Sequence, residues 1–221
     1  MTSDFFILIP ANDVHGNVSI NNLFELYNDR DFTQILSYCQ DAKGTVLGLN
    51  KSFNDDAPGQ REFNGISVKF LPHTKGALAT VGLLLDLIPE DTPIFVVPTN
   101  SFIKESLQEF RDAMEITNAD VGLALVKSVE PELSYVRMIN DKIVEIHEKE
   151  VVSDLAISGH FYFKNKSIIR DCLNWALLNN INKNGLFYIA PSLNFCVTKG
   201  MKVTSFHVDS ANYIHRIPSR R

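Results

Sequence analysis

The chain has 221 residues, 45% of them hydrophobic, with Lys+Arg 21 against Asp+Glu 26 and a net charge of -5. These values fit one sizeable globular core and exclude a disordered or strongly basic chain; only Arg216, Arg220 and Arg221 cluster, and three tail arginines read as solvated charge rather than a nucleic-acid site. The longest apolar runs, residues 5–10 and 93–98, fall far short of the ~20 residues that a membrane span needs, so the expectation is a single cytoplasmic domain over residues 1–221 with no signal peptide.

Residues 5–9, FFILI, are apolar throughout and predict a central strand ended by Pro10; the polar loop from Ala11 to Asn17 follows it. A short amphipathic helix is expected over residues 31–39, with Phe32, Ile35, Leu36 and Cys39 inward, and a second strand over 44–49. Residues 51–64, rich in Asn, Asp, Gly and Pro, predict one long irregular loop and the most mobile internal segment. Residues 66–71 return as a strand.

The next stretch organises the rest. Thr74 can cap a helix beginning at Lys75-Gly76-Ala77, with Leu78, Val81, Leu84, Leu85 and Ile88 along one apolar side. Residues 94–97 lack polar alternation, the pattern of a parallel strand covered on both faces and adjacent to residues 5–9. Their end delivers Pro98-Thr99-Asn100-Ser101 to the rim of the sheet, where open α/β sheets bind ligands. A helix over 102–114 and a strand over 121–126 complete an alternation that argues a doubly wound α/β architecture with a mixed, mainly parallel sheet.

Residues 134–139 and 143–146, joined by Asn140-Asp141, then read as a β-hairpin, followed by an aromatic strand over 159–163, helices over 167–178 and 191–199, and a strand over 202–208. Cys39, Cys172 and Cys196 are few, odd in number and set in apolar surroundings, which reads as buried free thiols in a reducing compartment. Trp175, Phe161 and Phe195 read as core aromatics, and His15 and His147 as lone histidines without an acid–base role.

Four ordered blocks carry a family resemblance. They are Thr74-Lys75-Gly76-Ala77-Leu78; Ser134-Tyr135-Val136 with residues 143–149 (IVEIHEK); Ser153-Asp154-Leu155-Ala156 with Ser158-Gly159 and Phe161-Tyr162-Phe163; and Tyr188-Ile189-Ala190-Pro191 with Asn194. In this order and spacing the chain resembles the sugar-phosphate nucleotidylyltransferases over about two thirds of its length. The resemblance implies a Rossmann-like, three-layer (GT-A-like) fold in which a sugar 1-phosphate attacks the α-phosphate of a nucleoside triphosphate and releases pyrophosphate. It also implies Mg²⁺ if the chain is active, and partners drawn from sugar phosphates, nucleotides and nucleotide sugars, with a homo- or hetero-oligomer as a further possibility. Nucleotide contacts would fall to Thr74, Gly76 and Ala77. Sugar-phosphate contacts would fall to Glu148, Lys149, Ser158 and Gly159.

The chain departs from the family pattern where the triphosphate and metal belong. Residues 1–29 contain no Lys or Arg, Gly16 is the only glycine there, and Asn21-Asn22 stand where a Pro-Lys pair is expected. Asn100 occupies the position of one metal-binding Asp; the second should lie within residues 213–215, none acidic, with Asp209 the nearest carboxylate. An amide oxygen brings no charge to a hard cation. Several readings stay open: Asn100 as a helix cap or a ligand contact, Gly76 as a packing glycine or a base contact, and Glu148-Lys149 as a solvated pair or a sugar and phosphate clamp. For the whole chain there are three. One is a degenerate protein that binds but does not transfer, with cell-surface polysaccharide (capsule) assembly as the expected setting. The second is an active transferase with an unusual metal site using Asp13, Asp209 or Asn100, and the third is a structural or regulatory subunit.

Overall fold

The computed structural model describes residues 4–11, 29–40, 42–50, 60–63 and 65–215. Strand β1 (Phe6–Ala11) pairs in parallel with β2 (Gly44–Asn50) on one side and β5 (Ile94–Val96) on the other. β2 continues in parallel to β4 (Ile66–Leu71), whose other edge carries antiparallel β3 (Gln60–Phe63). Beyond β5 the sheet turns mixed: β10 (Leu155–Phe163) runs antiparallel to both β5 and β7 (Val121–Lys127), and β11 (Val203–His207) pairs in parallel with β7 at the edge. The adjacency of β1 and β5 matches their uninterrupted apolar sequences; Phe5, Ile7, Leu8, Ile94, Phe95 and Val97 are all fully buried.

Alternation along β1 splits the core into two layers. Ile7 and Ile9 point to a cluster with Tyr38, Phe95, Phe110 and Tyr162, covered by α1 (Asp29–Gln40) and α3 (Leu107–Ile116). Leu8 points to the other cluster, with Val81, Leu84, Ile169 and Cys172, covered by α2 (Ala77–Leu84) and α4 (Lys166–Leu178). Burying each such side chain contributes roughly 1.5–3 kcal/mol, so the three-layer order of helices, sheet and helices follows from the period of the strands.

Several local expectations are corrected. Thr74 does not cap α2: Gly76 is the N-cap residue at φ 98, and Thr74 Oγ1 lies 2.6 Å from Thr80 Oγ1 instead. The helix expected over 102–114 begins later, because Ser101–Ile103 is a strand (β6) and a capping box between Ser106 and Glu109 sets the start of α3. Asn100 is therefore no helix cap. Within 51–64, residues 60–63 form β3 rather than loop; residues 51–59 and 64 lie outside the described residues, as do His15, Gly16, Asp13, Asn21, Asn22 and the terminal arginines. The helix expected over 191–199 is two short ones, α5 (Ile189–Ser192) and α6 (Asn194–Thr198). Cys172 and Cys196 are buried, their sulfurs 3.4 Å apart, whereas Cys39 is only half-buried.

Candidate functional site

The site arises where one strand changes partners. The first part of β10 pairs with β8 (Ser134–Ile139), Ile157 facing Ser134, while the last part pairs with β5, Phe161 facing Val96. Between them the register shifts, and Gly159 takes φ 92 at the irregularity. A Cβ there would stand 2.9 Å from Pro98 Cγ and 3.3 Å from Ser101 Oγ, so a glycine lets the bulge close against the end of β5. The fork between β5 and β8 opens a cavity of about 230 Å³ at the carboxyl ends of β1 and β5, bounded by Val96, Asn100, Ser134, Glu148, Ser158 and Tyr213 among others.

One wall is a hairpin. β8 and β9 (Lys142–Glu148) join through Asn140 and Asp141, both at positive φ (49 and 60), as a tight two-residue turn demands. Ser134 faces Glu148 across this pair, and its hydroxyl donates to Glu148 Oε2 at 2.5 Å. Burial pushes the Glu148 carboxyl above its usual range, against the lowering pull of Ser134, Lys149 and Lys183. Burial works to lower Lys149, yet Tyr188, Glu148 and Glu132 outweigh it and the ammonium is held above its ordinary value. Its Nζ lies 3.7 Å from Glu132 and 5.2 Å from the centre of the Tyr188 ring. Asn194 ties α6 to this wall: its side chain accepts from Ile146 N at 3.0 Å and donates to Ile146 O at 2.8 Å.

The second wall is a small separate sheet of β6 and β12 (Tyr213–His215), with His215 facing Ser101 and Tyr213 facing Ile103. Asn100, Tyr213 and His215 line the cavity here. His215 Nδ1 is 3.1 Å from Glu130 Oε2. Burial holds the Tyr213 phenol above its usual range. Beside this wall, also in the lining, the Ser101 hydroxyl donates to Ser158 O, and Ser158 Oγ is 3.1 Å from Nδ1 of the fully buried His160.

Of the residues singled out in the sequence, Ala77, Asn100, Glu148, Ser158 and Gly159 share the cavity lining. Lys149 stands behind it, touching the lining through Glu132 and Tyr188. Thr74 and Gly76 are not lining residues. Gly76 approaches the backbone of Phe187 so closely that a Cβ would sit 2.5 Å from its carbonyl oxygen, while Leu78 N donates to the same oxygen. It thereby fixes Tyr188, the next residue, in the cleft wall. Asp209 lies outside the lining and accepts from Ala211 N at 2.9 Å, capping a single turn over Ser210–Asn212. His147 pairs with Glu145 and Glu150 and does not line the cavity. Tyr188, Tyr213, His215 and Glu132 were not picked as ligand contacts; for Tyr213 and His215 the signal was their place where an acidic residue was expected.

Among the described residues the donor set fits Mg²⁺ poorly. Such an ion calls for charged oxygen ligands, and the two carboxylates that these residues bring to the lining are engaged, Glu148 with Ser134 and Glu132 with Lys149. Asn100 offers an uncharged amide. Among the described residues no three His, Cys, Asp or Glu side chains come together as a metal cluster.

A mixed sheet with helices on both faces and a cleft at the carboxyl ends of its central strands is shared with solved structures over nearly the whole chain. A nucleoside-diphosphate-sugar pyrophosphorylase from Vibrio cholerae RC9 superposes with a TM-score of 0.68 at 16% identity over 96% of each chain. An inositol-1-phosphate CTP transferase from T. maritima matches with a TM-score of 0.65 at 16% identity, over 97% of this chain and 89% of that one. A proposed glucose-1-phosphate thymidylyltransferase from Bacillus anthracis, in complex with sucrose, gives 0.67 at 16%, over 92% and 86%. No family model and no curated protein matches the chain. Among the described residues no helix is long and apolar enough to cross a membrane.

Proposed function

We propose that the protein binds a phosphorylated sugar or nucleotide sugar in the β5–β8 cleft and transfers no nucleotidyl group, serving cell-surface polysaccharide assembly as a binding or regulatory component. The observation that carries this reading is the Glu148-Lys149 pair. Glu148 lines the cavity as an acceptor fixed by Ser134, while Lys149 is held against Glu132 and Tyr188 at its edge. A carboxylate acceptor suits sugar hydroxyls, and an ammonium at the cavity edge attracts a phosphate without having to touch it. Transfer, by contrast, must neutralise a triphosphate. Residues 1–29 hold no Lys or Arg, and Asn100, Tyr213 and His215 stand where acidic groups would be needed. Losing one group that stabilises developing charge costs about 3 kcal/mol, so several such losses predict a rate lower by many powers of ten.

The test pairs calorimetric titration of sugar 1-phosphates and nucleotide sugars with a pyrophosphate-release assay across nucleoside triphosphates, with Mg²⁺ or Mn²⁺. Binding without pyrophosphate release is expected, together with at least tenfold weaker binding for Lys149→Ala. Ordinary turnover overturns the degenerate reading, and in that case Asn100→Asp is expected to raise the rate. Unchanged affinity in Lys149→Ala removes that residue from the site.

A further inference from the structure

The wall made by β6 and β12 holds an unused hydrogen-bond donor. Among the described residues four buried side-chain polar atoms lack a hydrogen-bond partner, on Glu105, Arg111, His160 and Tyr213. Of these only Tyr213 lines the cavity. Ser101 Oγ is near enough to perturb the phenol, yet the two are not in hydrogen-bond geometry. A buried hydroxyl without a partner is unfavourable, and among the described residues only Ser101 comes near this one.

Two further donors flank it. His215, two residues along the same strand, has a side chain only 11% exposed, and the Glu130 carboxylate 3.1 Å from Nδ1 orients the ring, so that a protonated imidazole turns its Nε2–H to a ligand. That leaves Nε2 for a ligand. β12 places His215 opposite Ser101, and Asn100, the residue before Ser101, lines the same cavity. Among the described residues no Lys or Arg lines the cavity, and the two carboxylates there, Glu132 and Glu148, both repel a phosphate. An anionic group therefore belongs next to the phenol, imidazole and amide, with sugar hydroxyls turned to the carboxylates.

We infer that Asn100, Tyr213 and His215 form a phosphoryl-binding site that works without a divalent cation, hydrogen-bond donors taking the place of a metal. This rests on the sugar-phosphate reading of the same cleft. The probe is glucose 1-phosphate, titrated calorimetrically in EDTA and again in Mg²⁺, against wild type, Tyr213→Phe and His215→Gln, with glucose as the phosphate-free control.

Affinity within twofold in the two buffers is expected, with about tenfold weaker binding in each variant and no such loss for glucose. Tyr213→Phe is also expected to keep or raise the Tm of the ligand-free protein, because it deletes an unpartnered hydroxyl; a merely structural role for that hydroxyl would lower it. Binding by wild type that needs Mg²⁺, or that both variants leave unchanged, overturns the metal-free site while the sugar-phosphate reading stands. If wild type binds no sugar phosphate at all, the sugar-phosphate reading itself fails and the site falls with it.

Discussion

The two walls of the cleft are built on opposite terms. In the hairpin wall the functional groups are satisfied before any ligand arrives: Glu148 accepts from Ser134, Lys149 meets Glu132 and Tyr188, and Asn194 clamps the strand behind them. In the β6–β12 wall the Tyr213 hydroxyl lies in hydrogen-bond geometry with none of the described residues, and the nearby polar groups include a buried imidazole whose Nε2 is likewise unpaired among them. Satisfied groups give geometry, and unsatisfied ones give a reason to bind.

The largest expected effect tests the second wall through His160. Burial holds its imidazole at about 3, far below the ordinary 6.5. The unfolded chain thus takes a proton below pH 6.5 that the folded chain refuses until about pH 3. The stability tied to neutral His160 is therefore complete above pH 6.5 and is lost as pH falls through that window, at about 1.4 kcal/mol per unit. Melting from pH 7 to pH 4 should show a steeper loss of Tm in wild type than in His160→Gln; parallel curves would remove His160 from the account.

Next come the two glycines, Gly76 behind the lining and Gly159 within it. Gly76→Val places a side chain against the Phe187 carbonyl at a positive φ, where only backbone can give way. A loss of about 3 kcal/mol or more is expected, or roughly 10 °C in Tm, with weaker ligand binding as Tyr188 shifts. Gly159→Ala meets the Pro98 ring and the Ser101 side chain rather than backbone, so its loss should be smaller. Reversed magnitudes would show that the cleft is more rigid at β10 than at the Gly76 turn.

Smaller again is Asn194→Ala, which leaves the Ile146 N–H and C=O without their side-chain partner and should cost about 2 kcal/mol. A loss below ~0.5 kcal/mol would mean that water replaces the clamp. The smallest is Ser106→Ala, which removes the α3 cap at about 1 kcal/mol. It lies outside the lining, so sugar-phosphate affinity should not change.

How much of this was legible follows the same division. The central strands, the Asn140-Asp141 hairpin and Glu148 with Lys149 declared themselves through apolar runs, turn chemistry and local motifs. Residues 102–110 misled because Phe102, Ile103, Leu107 and Phe110 also fit a helical stripe. The Ser106-to-Glu109 capping box marks the true start of α3. β12 was hidden for a deeper reason: a three-residue strand carries almost no pattern, and its pairing with β6 is made by tertiary contact alone. The role of Gly76 was likewise unreadable, since nothing local tells that Phe187 will press against it.

That β6–β12 pair has a consequence for how the molecule opens. It joins distant parts of the chain by three facing residues, outside the main sheet, and β12 is only half-buried along its length. Closing so long a loop for so few bonds leaves little local free energy, and such elements open without global unfolding. Amide protons of β12 should exchange with solvent far faster than those of β1, and an occupied cleft should slow them selectively, so that the wall offering the donors becomes ordered by the ligand it receives.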